Sequence, residues 1–484
     1  MARGLALVRG QRLWALLLFI FLTFLFFRDR RASKTSHETK GSKSRVSLSE
    51  NEDNTIPQTG SIQWSNAFED VLRWDQEPIP PTNIEVHVPG WTIFDRLYVR
   101  EGIIYIVTDH PELVPHRKFL ASKGGRIEPA NVNLHQLEAT EDDIKIISTV
   151  QAKELFESTA IRISGVTFLV NEGPQFLTHM YHFVAELLFG LWRIYSSLDP
   201  GLKPNGHTIL PPPERMSFPH VDATKWRDYA SMNEFILRGA FPSLVMEFSD
   251  TWEERAALKG MTFVYDRVVF SDRVAAIHGT QYTSTDRIAS EAFKVKASPY
   301  WWSTIRMAVL ELSKVRKEDD RPKNPVITYV SRQKWGRRML REEDHLRLVA
   351  GLQKLKERYG YEVNIVELDR MSRGDQIRLA ARTTIMCGVH GNGLTALLWM
   401  KPTKRATVIE FFYPKGFAQD YQWTANALGI AYFGVWNKHI FTSPNLPPHG
   451  YPEGFQGNNI PLDAHTVVNL IERRLSMDEL DFED

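Results

Sequence analysis

Between Val326 and Val435 the chain alternates β-branched runs with helical apolar patterns, and no other feature constrains the fold as tightly. The pattern predicts strands at Val326–Val330, Glu362–Val366, Thr384–Val389, Ala406–Phe411 and Ala431–Val435. Helices are predicted between them at Glu342–Tyr359, Ser372–Arg382, Leu394–Met400 and Gln419–Leu428. Strand and helix in strict turn imply a parallel sheet covered on both faces, a doubly wound domain. Ligands of such sheets sit at the C-terminal strand edge. The third strand ends in His390-Gly391-Asn392-Gly393-Leu394 and passes directly into a helical pattern. Free backbone N–H groups and a helix start then point at one spot, which favours an anion and above all a phosphate. The glycines let backbone approach a ligand closely, and His390 adds a donor.

The same edge gathers further candidates. Ser331-Arg332 follows the first strand, with Arg337 and Arg338 close behind, and Glu410 ends the fourth strand. Arginines beside a helix start make a diphosphate clamp that needs no metal. A carboxylate at a strand end can accept two ribose hydroxyls. The alternatives are a solvated surface pair for Arg337 and Arg338, and a helix cap or buried salt bridge for Glu410.

The first half reads as a second α/β region. Strands are predicted at Trp91–Phe94, Leu97–Val99, Gly102–Val107, Ile161–Val170, His207–Leu210, Leu244–Phe248 and Thr262–Phe270. Helices are predicted at Leu177–Ser197, Trp226–Leu237 and Pro299–Lys317. Within the first helix His179, His182 and Glu186 share one face. A histidine oriented by a carboxylate has the pKa to deprotonate a hydroxyl. Capping or packing is the alternative for either histidine. Asp266 is a second candidate base, and equally a structural partner of Arg267 or of a distant arginine.

Residues 13–27 form an apolar run flanked by arginines, short for a spanning helix but compatible with a signal anchor. The polar stretch after it reads as a disordered stem. The expected organisation is a tail and anchor at 1–28, a stem at 29–59, an α/β domain at 60–317 and a doubly wound, nucleoside-diphosphate-binding domain at 318–484. A formal net charge of +1 gives no electrostatic case for nucleic acid. Cys387 is the only cysteine, which excludes an internal disulfide and a cysteine zinc cluster. No P-loop, nucleophile elbow or Asp-x-Asp string occurs.

Gly388-Val389-His390-Gly391-Asn392-Gly393-Leu394, with Val330-Ser331-Arg332 before it and Val408-Ile409-Glu410-Phe411-Phe412 after it, resembles the family 61 glycosyltransferases. The His182-Phe183-x-x-Glu186 helix is similar to that family's His-Phe helix. The resemblance spans about Trp91 to Val435. Asn392 stands where many members carry alanine. The resemblance implies a GT-B-like fold, with two Rossmann-like domains facing a cleft behind an anchor and stem. It also implies inversion at the anomeric carbon, with no metal and no cofactor beyond a UDP-sugar co-substrate. Carried over, Ser331, Arg332, His390, Gly391, Gly393 and Glu410 would hold the nucleoside diphosphate. His182, or a carboxylate such as Glu186 or Asp266, would serve the acceptor. Xylose and N-acetylglucosamine lead as donor sugars, and the acceptor would be a glycan or glycoprotein hydroxyl. Single-pass membrane attachment in the Golgi or endoplasmic reticulum, with the catalytic part lumenal, is expected. The competing reading is an inactive membrane-tethered binding module on the same scaffold.

Overall fold

A computed structural model describes residues 70–74, 78–127, 133–316, 320 and 322–477. The expected anchor and stem, and every other residue before 70, lie outside the described residues. Among those described, no helix is long and apolar enough to cross a membrane. Arg73–Ile127 and Val132–Asp484 belong to one compact unit. Of the other, residues 70–72 alone are described.

The second half folds as its pattern predicts. Strands Val326–Val330, Glu362–Val366, Ile385–Val389, Thr407–Phe411 and Ala431–Trp436 are all parallel, and His439–Phe441 closes the edge antiparallel. Across the sheet their chain order is second, first, third, fourth, fifth. Alternate residues of each strand serve the two faces. Ile327, Tyr329, Ile385 and Cys387 meet Leu348, Leu352 and Leu470 from helices Glu342–Tyr359 and Ala464–Leu475. Val330, Met386 and Val408 face Ile377, Leu397 and Tyr421 on the opposite side. Cys387 is fully buried, and burial pushes its thiol upward, so it behaves as a small apolar side chain.

The first half is α/β, but its sheet is mixed rather than doubly wound. Trp91–Arg100 forms one strand, antiparallel to Asn83–Val88, Ile103–Val107 and Thr262–Ser271. Thr159–Val170 then pairs parallel to Thr262–Ser271, and Arg215–Ser217 and Val245–Glu247 follow in parallel. Three local expectations give way. Residues 207–210 form no strand, because the Asp199 carboxylate accepts from Thr208 Oγ1 (2.6 Å) and the Ile209 amide (3.1 Å) and folds them into a turn. The helix expected at Trp226 starts at Met232, since Asp228 captures the amides of Ala230 and Asn233 and Ser231 adopts the left-handed region. The helix expected at Leu177–Ser197 is a π-helix over Tyr181–Leu188 that continues as an α-helix over Phe189–Tyr195.

One apolar core runs through both halves, from Trp91 and Phe168 through Phe189 and Trp302 to Trp399 and Phe417. Polar bonds cross the same ground. Trp302 Nε1 donates to the Leu398 carbonyl (3.0 Å) and Arg306 Nε to the Trp399 carbonyl (2.9 Å). Gly388 sets the spacing of the strands that carry the site. A Cβ there would lie 2.9 Å from the Val330 carbonyl oxygen, which is backbone and cannot swing away. Gly388→Ala is therefore expected to lower unfolding free energy by about 1–3 kcal/mol in urea denaturation. An unchanged midpoint would contradict the strand-spacing role.

Candidate active site

The order of the parallel strands reverses between Val326–Val330 and Ile385–Val389, and open sheets take their ligands at the carboxyl ends of the strands at such a switch point. Val330 lies in register with Gly388, so Ser331-Arg332 and His390-Gly391 leave the sheet side by side. A Cβ on Gly391 would stand 2.5 Å from Arg332 Nη1, so its absence admits the guanidinium to the turn. Arg332 Nε is buried with no hydrogen-bond partner among the described residues. Burial, and then the charge of Arg337, draw this guanidinium down to about 10. Arg338 is 3% exposed, which replaces the solvated-pair reading for that residue. Its Nε donates to Gln456 Oε1 (2.8 Å) and its Nη1 to the His390 carbonyl (3.3 Å). Burial, Arg332 and Arg337 together draw it to about 9. Both groups stay cationic at neutral pH, and their mutual repulsion makes the edge a place for an anion.

His390 is held by a buried chain. Its Nδ1 lies 2.5 Å from Glu410 Oε1, and Glu410 Oε2 accepts from the Tyr432 hydroxyl (2.6 Å). Phe412 stacks on the imidazole with ring centres 5.5 Å apart. Burial raises the Glu410 carboxyl well above its ordinary range and pulls His390 well below its own. The pair therefore shares one proton and carries no net charge. Glu410 is 0% exposed with both oxygens engaged, so it positions His390 and presents no oxygen to a ribose; the buried-pair alternative is the arrangement formed. The neighbouring positions serve the turn. Asn392 Oδ1 accepts from Thr395 Oγ1 (3.2 Å), Leu394 enters the core, and a Cβ on Gly393 would press on Val330. Ser331 donates its amide to the Val366 carbonyl (2.8 Å). The segment after the turn is a 3-10 helix, Asn392–Trp399, whose first amides lack intrahelical acceptors.

From the first half, the π-helix carries His182 and Glu186 inward. Such wide turns occur often at functional sites. His182 Nδ1 lies 2.6 Å from Glu186 Oε2. Arg273 Nη1 reaches the same oxygen (3.2 Å) and Arg287 Nη1 lies 3.5 Å from Oε1. Burial opposes ionisation of Glu186, but His182, Arg273 and Arg287 outweigh it and hold the carboxyl well below its ordinary range. Nδ1 faces the Glu186 carboxylate, and a neutral ring held this way presents its lone pair at Nε2. Nε2 has no hydrogen-bond partner among the described residues. Arg287 also donates to Asp420 Oδ1 (2.8 Å), and the Tyr181 hydroxyl donates to the Asp420 carbonyl (2.8 Å). Burial raises Asp420 too, yet the Arg287 guanidinium above all brings it below its ordinary value. His179 lies beside His182, ring centres 5.1 Å apart, and burial lowers its pKa to about 3.

The structure brings His182, Glu186, Arg332, Arg338 and His390 around the Asp420 helix. Asp266 is not among them. Arg162 takes both its oxygens at 2.8 Å and the Gly165 amide donates to it at 3.1 Å, which fixes it as a strand ion pair with the distant arginine foreseen as its alternative. Sequence reading missed Glu172, Arg273, Arg287, Asp420 and Tyr432. They belong to no motif in the sequence, and only tertiary contact gives them partners. Among the described residues no group of three His, Cys, Asp or Glu side chains is placed to hold a metal ion.

Residues 180–409 match the family model described as Glycosyltransferase 61. The chain carries a glycosyltransferase family 61 domain. It is a glycosyltransferase, and binds a sugar donor and an acceptor. The matched span takes in both histidines and the arginines and stops one residue before Glu410. No curated protein matches the chain. Within the family 61 domain, Tyr432→Phe leaves the buried Glu410 Oε2 without its donor. A stability loss of about 1–3 kcal/mol is expected in urea denaturation. A wild-type midpoint would mean that Glu410 needs no such support.

Proposed function

We propose that this glycosyltransferase inverts at the anomeric carbon, takes its sugar from a UDP-sugar, and works without a metal. The sugar is xylose or N-acetylglucosamine, a choice resting on the family resemblance, and the acceptor is a hydroxyl of a glycan or glycoprotein. The GT-B-like reading gives the 318–484 half the donor and the 60–317 half the acceptor. The run at 13–27 anchors the chain as a single-pass protein of the Golgi or endoplasmic reticulum, with the catalytic part lumenal.

One observation carries the mechanism: the Glu186-oriented His182, through Tyr181, and the His390 turn beside Arg332 both pack against Tyr421, and Arg332 Nε there has no hydrogen-bond partner among the described residues. His182 Nε2 takes the proton of the acceptor hydroxyl as its oxygen bonds to the anomeric carbon. The bond from that carbon to the diphosphate oxygen breaks on the opposite face, and the diphosphate leaves with the electron pair. Arg332, Arg337, Arg338 and the amides of the glycine turn meet the departing charge. Glu186 stabilises the imidazolium formed on His182, in the manner of a base and its orienting carboxylate.

Two variants separate the roles. His182→Ala is expected to lower kcat by roughly 10²–10⁴-fold with UDP affinity unchanged, since a general base contributes about that much. Arg332→Ala is expected to weaken UDP binding by roughly 10- to 100-fold, the worth of a charge-assisted hydrogen bond. Turnover and calorimetry, both with EDTA present, read the two effects. Unchanged turnover in His182→Ala returns that residue to packing, and unchanged UDP affinity in Arg332→Ala removes the donor assignment.

A further inference from the structure

The edge that carries Arg332 also carries an aromatic wall that the proton transfer and the diphosphate leave unused. The Trp335 amide donates to the Arg332 carbonyl (2.9 Å), closing a tight turn that fixes one residue against the other. The Trp335 ring centre lies 5.6 Å from the Arg332 guanidinium carbon. Beyond it stands Tyr229 from the first half, ring centres 6.1 Å apart and planes inclined at 46°. Tyr229 is 57% exposed, an unusual position for a large aromatic side chain on a turn so firmly tied. Asp228 is buried and accepts from the Ala230 (3.1 Å) and Asn233 (2.9 Å) amides. Arg373 Nη1 donates to the carbonyls of Ala230 (3.3 Å) and Ser231 (3.5 Å) from the parallel-sheet half. An exposed aromatic on a rigid support is pre-organised for a flat ligand, because little side-chain or loop freedom is lost on binding.

Each of these groups lies beside the next: Arg332 against Gly391, Trp335 against Arg332 and Tyr229 against Trp335. A nucleoside diphosphate has a matching order of groups, with phosphates at one end, a ribose next and a flat conjugated base at the other. We propose that Trp335 and Tyr229 form the stacking platform for the nucleobase of the donor, one ring from each half of the chain. This rests on the donor-site reading above and adds the residues that recognise the nucleoside. A flat π-system suits such a wall better than a puckered, hydroxylated sugar does.

The test compares two probes on the full chain by calorimetry: UDP, which carries the base, and inorganic pyrophosphate, which lacks it. Trp335→Ala and Tyr229→Ala are each expected to weaken UDP about tenfold and leave pyrophosphate unchanged, a typical loss for one stacked base. Tyr229→Phe, which keeps the ring, is expected to retain wild-type UDP affinity. Because Tyr229 is largely exposed, its substitution tests the proposal even if Trp335→Ala fails to fold. UDP affinity unchanged in both alanine variants, or UDP and pyrophosphate weakened alike, overturns the platform and leaves the diphosphate site standing. Wild-type protein that binds neither probe overturns the donor-site reading, and the platform with it.

Discussion

Glu186 carries a negative charge where almost no water reaches it, and the rest of the site depends on keeping it there. A lone carboxylate at 2% exposure would take up a proton. Three cationic or hydrogen-bonding groups prevent that: His182 from the same helix, Arg273 from the end of a sheet strand, and Arg287 from a later loop. The two arginines are each held by a second anion. Glu172 pairs with Arg273, and Asp420 pairs with Arg287. The last of these matters most, because Asp420 belongs to the half that carries the glycine turn. The ion network that orients His182 is thus one of the ties between the two halves. Buried pairs of this kind are weak sources of net stability, and breaking one partner is costly because a charge is left uncompensated. Their service here is to fix geometry.

The edge at the switch point is built on the opposite principle. Where the Glu186 network balances charge, the switch point accumulates it. Arg332 and Arg338 lose water and repel each other and Arg337, and Arg332 Nε has no internal partner. The free protein thereby holds an unfavourable arrangement that a bound anion relieves, and binding to the folded state alone adds stability by mass action. His390 stands between the two designs. Its partnership with Glu410 is net neutral, so it adds a directed ring without adding to the charge.

How much of this was legible in the sequence follows from the range of each interaction. The parallel strands were readable because the three central ones bury both faces, and Val326–Val330, Glu342–Tyr359 and Glu362–Val366 fall where the pattern placed them. The glycine turn was readable because a strand that stops at His-Gly-Asn-Gly leaves few alternatives. Sheet order was not, although it decides that Arg332 and His390 are neighbours. The antiparallel character of the first sheet was hidden too, since Asn83–Val88 alternates weakly and its partner strand is buried on both sides. Glu410 looked like a ribose ligand because its place at a strand end was visible and Tyr432 opposite it was not. Asp266 looked like a base for the same reason, with Arg162 more than a hundred residues away. The π-helix escaped because its apolar spacing reads as ordinary helix, and only the wider turn shows how His182 and Glu186 both come to face inward.

The central claim is that a nucleoside diphosphate sits at the switch point with its outer phosphate turned toward His182. A crystal structure of the UDP complex tests it most directly. The account predicts the diphosphate against Arg332 and the Gly391–Gly393 amides, with the terminal phosphate on the His182 side. Diphosphate density elsewhere on the molecule, or at this edge but turned away from His182, would contradict it.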